Sequence, residues 1–446
     1  MMRGGCIQDV FPPLMSSSGR FSRHSPIASL VLLVVATAWA APAAAQYPGS
    51  PTAQALPPLT KKKVASETAQ LDLIGHVMLD ASPSAQAAAD DRRAYIPLKG
   101  GRLVAVDLTT SKLLWSIDID TKLAPAMGDD LVFVAGDELL TALTAEGAVR
   151  WTMPLGGGFS APLLWDSGWL IAPATSGDVL CIRANDGQVL WTRNLGSPVS
   201  ARPTIGGDRV YLSLENGRVV ALGLKDGASI WEHQLGGTPG PVFALEDRVF
   251  VGARDKFFYC LKTKNGKRRW RWRTGGTIVG TAVVDPKRVY FTALDNVVRG
   301  LDRNNGSQQW QAGLPLRPTS GPLLLGSVLF VGGVAAELRA YTVKEGLIAG
   351  QYDAPSELAA PPQLLAGEIP ELSQILLLTR TGELQVLRRQ LEPATVPLAL
   401  PIGVAVPLDA PPVHVTSAET PLSDPAATPL YDVPGTLTTE PPFTPP

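Results

Sequence analysis

The chain has little of what metal centres and disulfide frameworks are built from. It contains three cysteines in 446 residues, Cys6, Cys181 and Cys260, and four histidines. No two cysteines are adjacent or spaced as C-x-x-C, and the histidines show no H-x-x-x-H spacing. Neither a zinc site nor a disulfide scaffold is expected. Charge is also scarce: Asp, Glu, Lys and Arg make up 18% of the chain, and the net charge is −1. A general nucleic-acid binder needs a broad basic surface to neutralise phosphates, so that class is excluded. A helical hydrophobic period is absent throughout. The apolar run "IASLVLLVVATAWAA", residues 27–41, falls short of the roughly 20 residues of a bilayer span.

That run has the parts of an export signal. Arg20 and Arg23 precede it, and the small residues Ala43 and Ala45 stand just before Gln46. Residues 1–45 are therefore expected to be a secretory signal peptide. No cysteine follows the run, so no lipoprotein anchor is expected. The location implied is extracytoplasmic. Residues 46–67 form a Pro/Ala-rich linker. Residues 391–446 hold 14 prolines, six Asp or Glu and no Lys or Arg. Such a stretch hides too little apolar surface to offset its ordering entropy and reads as a disordered tail.

Between these ends, tryptophan recurs. "TTSKLLW" ends at Trp115, "AEGAVRW" at Trp151, "NDGQVLW" at Trp191, "KDGASIW" at Trp231, "KNGKRRW" at Trp270 and "NNGSQQW" at Trp310. The intervals are 36, 40, 40, 39 and 40 residues, and a period near 40 marks a repeat architecture. Each unit carries an alternating strand such as "GRVVALGL", a turn with Asn-Gly or Asp-Gly chemistry, the Trp strand, and two further strand signals. Asn-Gly and Asp-Gly pairs suit φ > 0 in a tight hairpin. Four strands per unit, repeated, predict an all-β fold: an eight-bladed β-propeller of four-stranded antiparallel blades over residues 68–390. The seventh copy has Gly350 at the Trp position. The eighth, "TRTGELQVLRRQ", lacks its last strand, and "LDLIGHVML" (71–79) supplies one at the front with Gly75 at the Trp position. The N-terminal strand is thus expected to complete the last blade.

The unit reads A-x-D-x-x-x-G-x-x-x-W, as in "AVDLTTSKLLW" and "GLDRNNGSQQW". It resembles the repeat of quinoprotein-type propellers, and most resembles the BamB-like scaffold family of outer-membrane assembly. The resemblance implies that Trp115, Trp151, Trp191, Trp231, Trp270 and Trp310 dock one blade on the next. It also implies two alternative functions. One is a non-enzymatic scaffold that binds envelope or outer-membrane assembly proteins. The other is a dehydrogenase using pyrroloquinoline quinone and Ca²⁺, with an adjacent Cys-Cys pair, carboxylate ligands and a catalytic Asp. No Cys-Cys pair exists here, and Asp186, Asp226 and Asp302 lie at turns where they have structural work. The expectation is a monomeric, non-enzymatic scaffold without cofactor or metal, recognising protein partners across several loops and reaching membranes only peripherally. A free-standing ligand sensor or adhesion module is the third reading.

One stretch stands out chemically. Residues 254–273 hold nine Lys or Arg against one Asp. Trp270 belongs to the repeat, and alternation turns Arg269, Arg271 and Arg273 to the opposite strand face. With Lys262, Lys264, Lys267 and Arg268 they form a candidate patch for an anionic partner. The competing reading is a solvated edge whose charge discourages strand pairing.

Overall fold

The computed structural model describes residues 69–119, 121–367 and 372–390. The chain divides into two units, Met1–Lys62 and Lys63–Pro446, and all described residues lie in the second. The expected signal peptide, linker and Pro-rich tail fall outside the described residues.

Eight four-stranded antiparallel sheets form a propeller ring. The fourth blade shows the plan. Its strands are β14 (Thr204–Gly206) at the channel, β15 (Arg209–Ser213), β16 (Arg218–Gly223) and β17 (Ser229–Gln234) at the rim. In β16, Val219–Leu222 are all buried, whereas β17 alternates and buries only Trp231 fully. The middle strands therefore face protein on both sides, which accounts for runs such as "RVVAL". The core lies between blades and not within them. One cluster joins Ile171, Val179 and Cys181 of the third blade to Val210, Leu212 and Val220 of the fourth. Similar clusters join every other pair of neighbours.

The indoles fasten these interfaces. Trp231 pairs with Ala221 across β16, and the register slips by one residue immediately before it, at Ile230. The same bulge recurs in all eight blades, leaving out Leu114, Arg150, Leu190, Arg269, Gln309, Ala349 and Ile74 in the others. A bulge re-aims the next side chain, and here it turns each indole toward the following blade. The Trp191 Nε1–H donates to Leu224 O at 2.7 Å, and Trp231 Nε1–H to Thr263 O at 2.7 Å. Trp115, Trp151, Trp270 and Trp310 donate to Ala145, Ala184, Arg303 and Val343 in the same way. The ring then lies on the turn glycine of that next blade. A Cβ on Gly227 would come within 2.7 Å of the Trp191 ring, at a φ of +63° that itself disfavours a side chain. Trp231, Trp270 and Trp310 are buried, while Trp115, Trp151 and Trp191 remain half-buried.

The turns are tight hairpins closed by paired backbone hydrogen bonds. In the fourth blade the loop is four residues long, closed by Gly227 N–H to Gly223 O and Gly223 N–H to Ala228 O, and in the second it is three, closed by Gly147 N–H to Thr144 O and Thr144 N–H to Ala148 O. In these turns the glycine takes positive φ and the Asn or Asp before it does not; in the first blade Ser111 holds the glycine's place at a φ of 56°. The acidic or amide side chain works otherwise. Asp186 accepts from Gln188 N–H at 3.0 Å, Asp226 from Ala228 N–H at 3.0 Å and Asn305 from Ser307 N–H at 2.8 Å. Each caps the turn by a side-chain bond two residues on.

The ring closes as the repeat count implies. Strand β1 (Leu71–Met78) pairs antiparallel with β32 (Glu383–Arg389), and Gly75 faces Val386 as Trp231 faces Ala221. The two tryptophan-free positions flank this seam for a physical reason. The eighth blade takes its rim strand from the other end of the chain, so no hairpin links β32 to it. The Gly350 position accordingly has no turn glycine to dock on, and the Ala69 carbonyl approaches it instead. On the far side, Gly75 meets Ser111, which stands where the other turns carry glycine. Near the channel, the Gln363 side chain accepts from Ala87 N–H at 3.1 Å and donates to Ala87 O at 2.8 Å, closing the seam from inside.

Two stability predictions follow from this packing. Trp231→Ala should cost about 3 kcal/mol, read as a lowered denaturant midpoint. Deleting residues 69–78 strips the closing strand from two core clusters, so the protein should lose its cooperative thermal transition; melting like the intact chain would refute closure by this strand.

Candidate functional site

Because the blades are antiparallel meanders, their loops sort onto two faces. The hairpins from the first to the second strand and from the third to the fourth gather on one face. The blade-to-blade crossovers and the remaining hairpins gather on the other. A channel of about 950 Å³ runs along the inner strands. Its wall includes the crossover residues Ser200–Pro203, Thr238 and Thr277 and the start of the fifth blade's inner strand at Pro239–Pro241, together with Arg254 and Leu294 from hairpins of that same face, so it opens there.

The basic stretch lies on the fifth blade, on β20 (Phe257–Lys262), its turn, and the rim strand β21 (Arg268–Arg273). Lys262, Lys264, Lys267, Arg268, Arg271 and Arg273 are exposed. Arg269 is where strict alternation fails: it is the bulge residue, and it ion-pairs with Asp247. Asp247 also holds Arg248 at 2.7 Å, Arg248 reaches Asn304 at 2.6 Å, and Glu246 holds Arg303 at 2.8 Å. Arg269 thus belongs to a network tying the fifth blade to a turn of the sixth. Arg271 lies over the Phe257 ring at 4.4 Å, a cation–π contact. Lys262, Lys264, Lys267, Arg268 and Arg273 pair with no carboxylate among the described residues. His233, on the neighbouring rim strand, is held below its ordinary pKa by burial and by the Arg268 charge.

The cysteines face the repeat tryptophans: Cys181 opposite Trp191 and Cys260 opposite Trp270. They sit in different blades, and burial pushes both thiols up to about 12. Other blades put Ala105, Ala142, Ala221 and Gly300 at this place. Small size under the indole is what the position requires.

A Ca²⁺-bound quinone does not fit this channel. Ca²⁺ takes six to eight oxygen ligands, usually including carboxylates. The wall residues include neither Asp nor Glu. Among the described residues no group of three or more His, Cys, Asp or Glu is placed to hold a metal ion.

At the crossover face, Asp295 receives Arg299 Nη2 at 2.6 Å and Gly275 N–H at 2.8 Å. Burial pushes its carboxyl up, but the guanidinium and the amide outweigh this and hold it below the ordinary carboxylate range. A depressed folded pKa contributes stability above the unfolded value, about 4, that is lost as the pH falls through the folded one. Asp295→Asn should therefore cost about 3 kcal/mol at pH 7 and progressively less toward pH 2, compared by denaturant melts at both pH values. Cys181 and Cys260 should resist a thiol reagent at pH 8 until the protein is unfolded, counted by reaction with and without denaturant.

Sequence reading located the basic rim and the tryptophan lattice but missed the channel wall. The available signal was Arg202 in "SARPTIGG", where the third blade has Pro162 in "SAPLLWDS".

The chain matches the family model of outer membrane protein assembly factor BamB over residues 61–152, 136–240 and 215–359. No curated protein matches it by sequence. Among solved structures, BamB from Moraxella catarrhalis is 18% identical with a TM-score of 0.60, covering 72% of this chain and 100% of that one. Quinohemoprotein alcohol dehydrogenase from Comamonas testosteroni is 13% identical with a TM-score of 0.59, covering 73% of this chain and 78% of that one. At these identities the structures share the fold with this chain, and the fold hosts both scaffold and enzyme. The family match is of another kind, since it runs through the successive repeats over well more than half of the chain: the protein belongs to the family of outer membrane protein assembly factor BamB.

Proposed function

We propose that this propeller is an exported, non-enzymatic scaffold that recognises protein partners in the assembly of outer-membrane β-barrels. The observation that carries this reading is the family match across the repeats. The chemistry of the channel supports it, because the wall lacks the carboxylates that a quinone–Ca²⁺ enzyme of this fold would use. The mechanism is geometric. The interlocked blades hold loops at fixed positions around a ring, and a partner is read across several loops at once. A rigid frame lowers the ordering entropy lost on binding, and the loops supply specificity.

The fifth blade is the proposed docking edge. Its exposed cations Lys262, Lys264, Lys267, Arg268, Arg271 and Arg273 give one rim sector a positive field that would steer an acidic partner surface. Arg269 contributes by fixing the strand and not by contact, since its charge is already paired.

Cross-linking in intact membranes, followed by identification of the attached proteins, tests the role. Recovery of barrel-assembly components supports it, and recovery without any envelope partner rejects it. The quadruple variant Lys264→Glu, Lys267→Glu, Arg268→Glu and Arg273→Glu leaves the paired Arg269 and stacked Arg271 in place. It should weaken the captured complex about tenfold or more at low salt, with an unchanged melting curve. Undiminished binding would remove this edge from the interface.

A further inference from the structure

In each blade one residue stands two positions before the inner-strand residue that pairs opposite the place of Tyr211 on the second strand, as Thr204 does in the fourth blade and Val283 opposite Tyr290 in the sixth. In seven blades that residue is uncharged, as with Gln86, Pro162 and Thr281. In the fourth blade it is Arg202, half-buried in the wall. Its Nη2–H donates to Pro125 O of the second blade at 3.2 Å, so the guanidinium is drawn along the wall past the third blade. This uses one arm of a fork with five donors. No carboxylate pairs with Arg202 among the described residues. Burial lowers its pKa, yet a guanidinium stays charged at neutral pH. A desolvated cation without a counter-charge is costly.

The rest of the wall matches this imbalance. Arg254 is exposed at the mouth and also makes no ion pair among the described residues. Among the described residues that line the channel there is no Asp or Glu. Across from Arg202, the hydroxyls of Thr277, Thr281 and Thr319 line the same space and bond to no described residue. Two cations, a row of available donors and no acidic lining residue give this space a positive potential focused by its walls.

We propose that the channel mouth is a binding site for a small oxyanion ligand, a compact polycarboxylate or a phosphate, with Arg202 as its bidentate anchor, Arg254 as a second cation at the entrance and the threonine hydroxyls completing its shell. The site is separate from the rim edge assigned to partner docking, so it stands or falls independently of that reading.

The test is calorimetric titration of the intact protein with citrate and, separately, inorganic phosphate, at low ionic strength. Saturable binding of one equivalent of either probe is expected, and the preferred probe shows which oxyanion the site suits. Arg202→Gln should weaken binding about tenfold or more, Arg254→Gln less, and Arg268→Gln on the outer rim not at all. Arg202→Lys keeps the charge but loses the planar fork, and should recover only part of the affinity. Should Arg202→Gln fail to fold, Arg202→Lys and Arg254→Gln carry the comparison. The proposal is overturned if neither probe binds saturably to the wild-type protein. It is overturned equally if the channel variants bind as wild type does, or if Arg268→Gln abolishes binding.

Discussion

An indole laid on a neighbour's glycine is the contact on which this molecule depends. A four-stranded sheet with both faces apolar cannot be stable alone in water. Each blade has to hide its two faces against the blades on either side. The tryptophan makes that stacking directional. Its ring covers the bare backbone of the next turn, and its N–H satisfies a carbonyl there. In five blades an aromatic on the second strand backs the ring, as Tyr211 does for Trp231 at 5.9 Å. The glycine and the tryptophan in one repeat therefore serve different interfaces. The glycine receives the preceding blade, and the tryptophan grips the following one.

The seam shows the same logic by its exceptions. Chain ends have to meet somewhere in a closed ring, and the blade that joins them has no hairpin to its rim strand. Where that turn is missing, the opposing residue is Gly350 and the Ala69 backbone takes the space. Where the rim strand comes from the N-terminal side, Gly75 faces Ser111. Strand pairing, two apolar clusters and the Gln363 side chain replace the indole contacts there. The two departures from the repeat are thus consequences of topology.

A frame of this kind leaves chemistry to its loops and its axis. BamB and the quinohemoprotein alcohol dehydrogenase share the ring closely enough that the fold cannot select between scaffold and enzyme. What distinguishes this chain is the composition of its channel wall and rim. The wall is cationic and free of acids, and one sector of the rim is strongly basic.

The architecture was legible in the sequence because its signals are local. A 40-residue tryptophan stride, a turn glycine four positions earlier and alternating strands all reside within one repeat, and their recurrence counts the blades. Even the joining of β1 to the last blade was readable, from a strand missing at one end and present at the other. Function-bearing geometry was less accessible. Alternation placed Arg269 with its neighbours, but the bulge beside Trp270 and the pairing with Asp247 set it apart, and such a slip is fixed by the adjoining strand. Arg202 looked like one basic residue in a loop. Only the closed ring brings it to the same central space as Arg254, some 50 residues away, with neutral residues at the seven equivalent places. Sequence by itself determined the blades, because each is built from short-range pattern. Tertiary structure alone decided which charges are paired, which stay open, and which share the central space, because those depend on contacts between blades far apart in the chain.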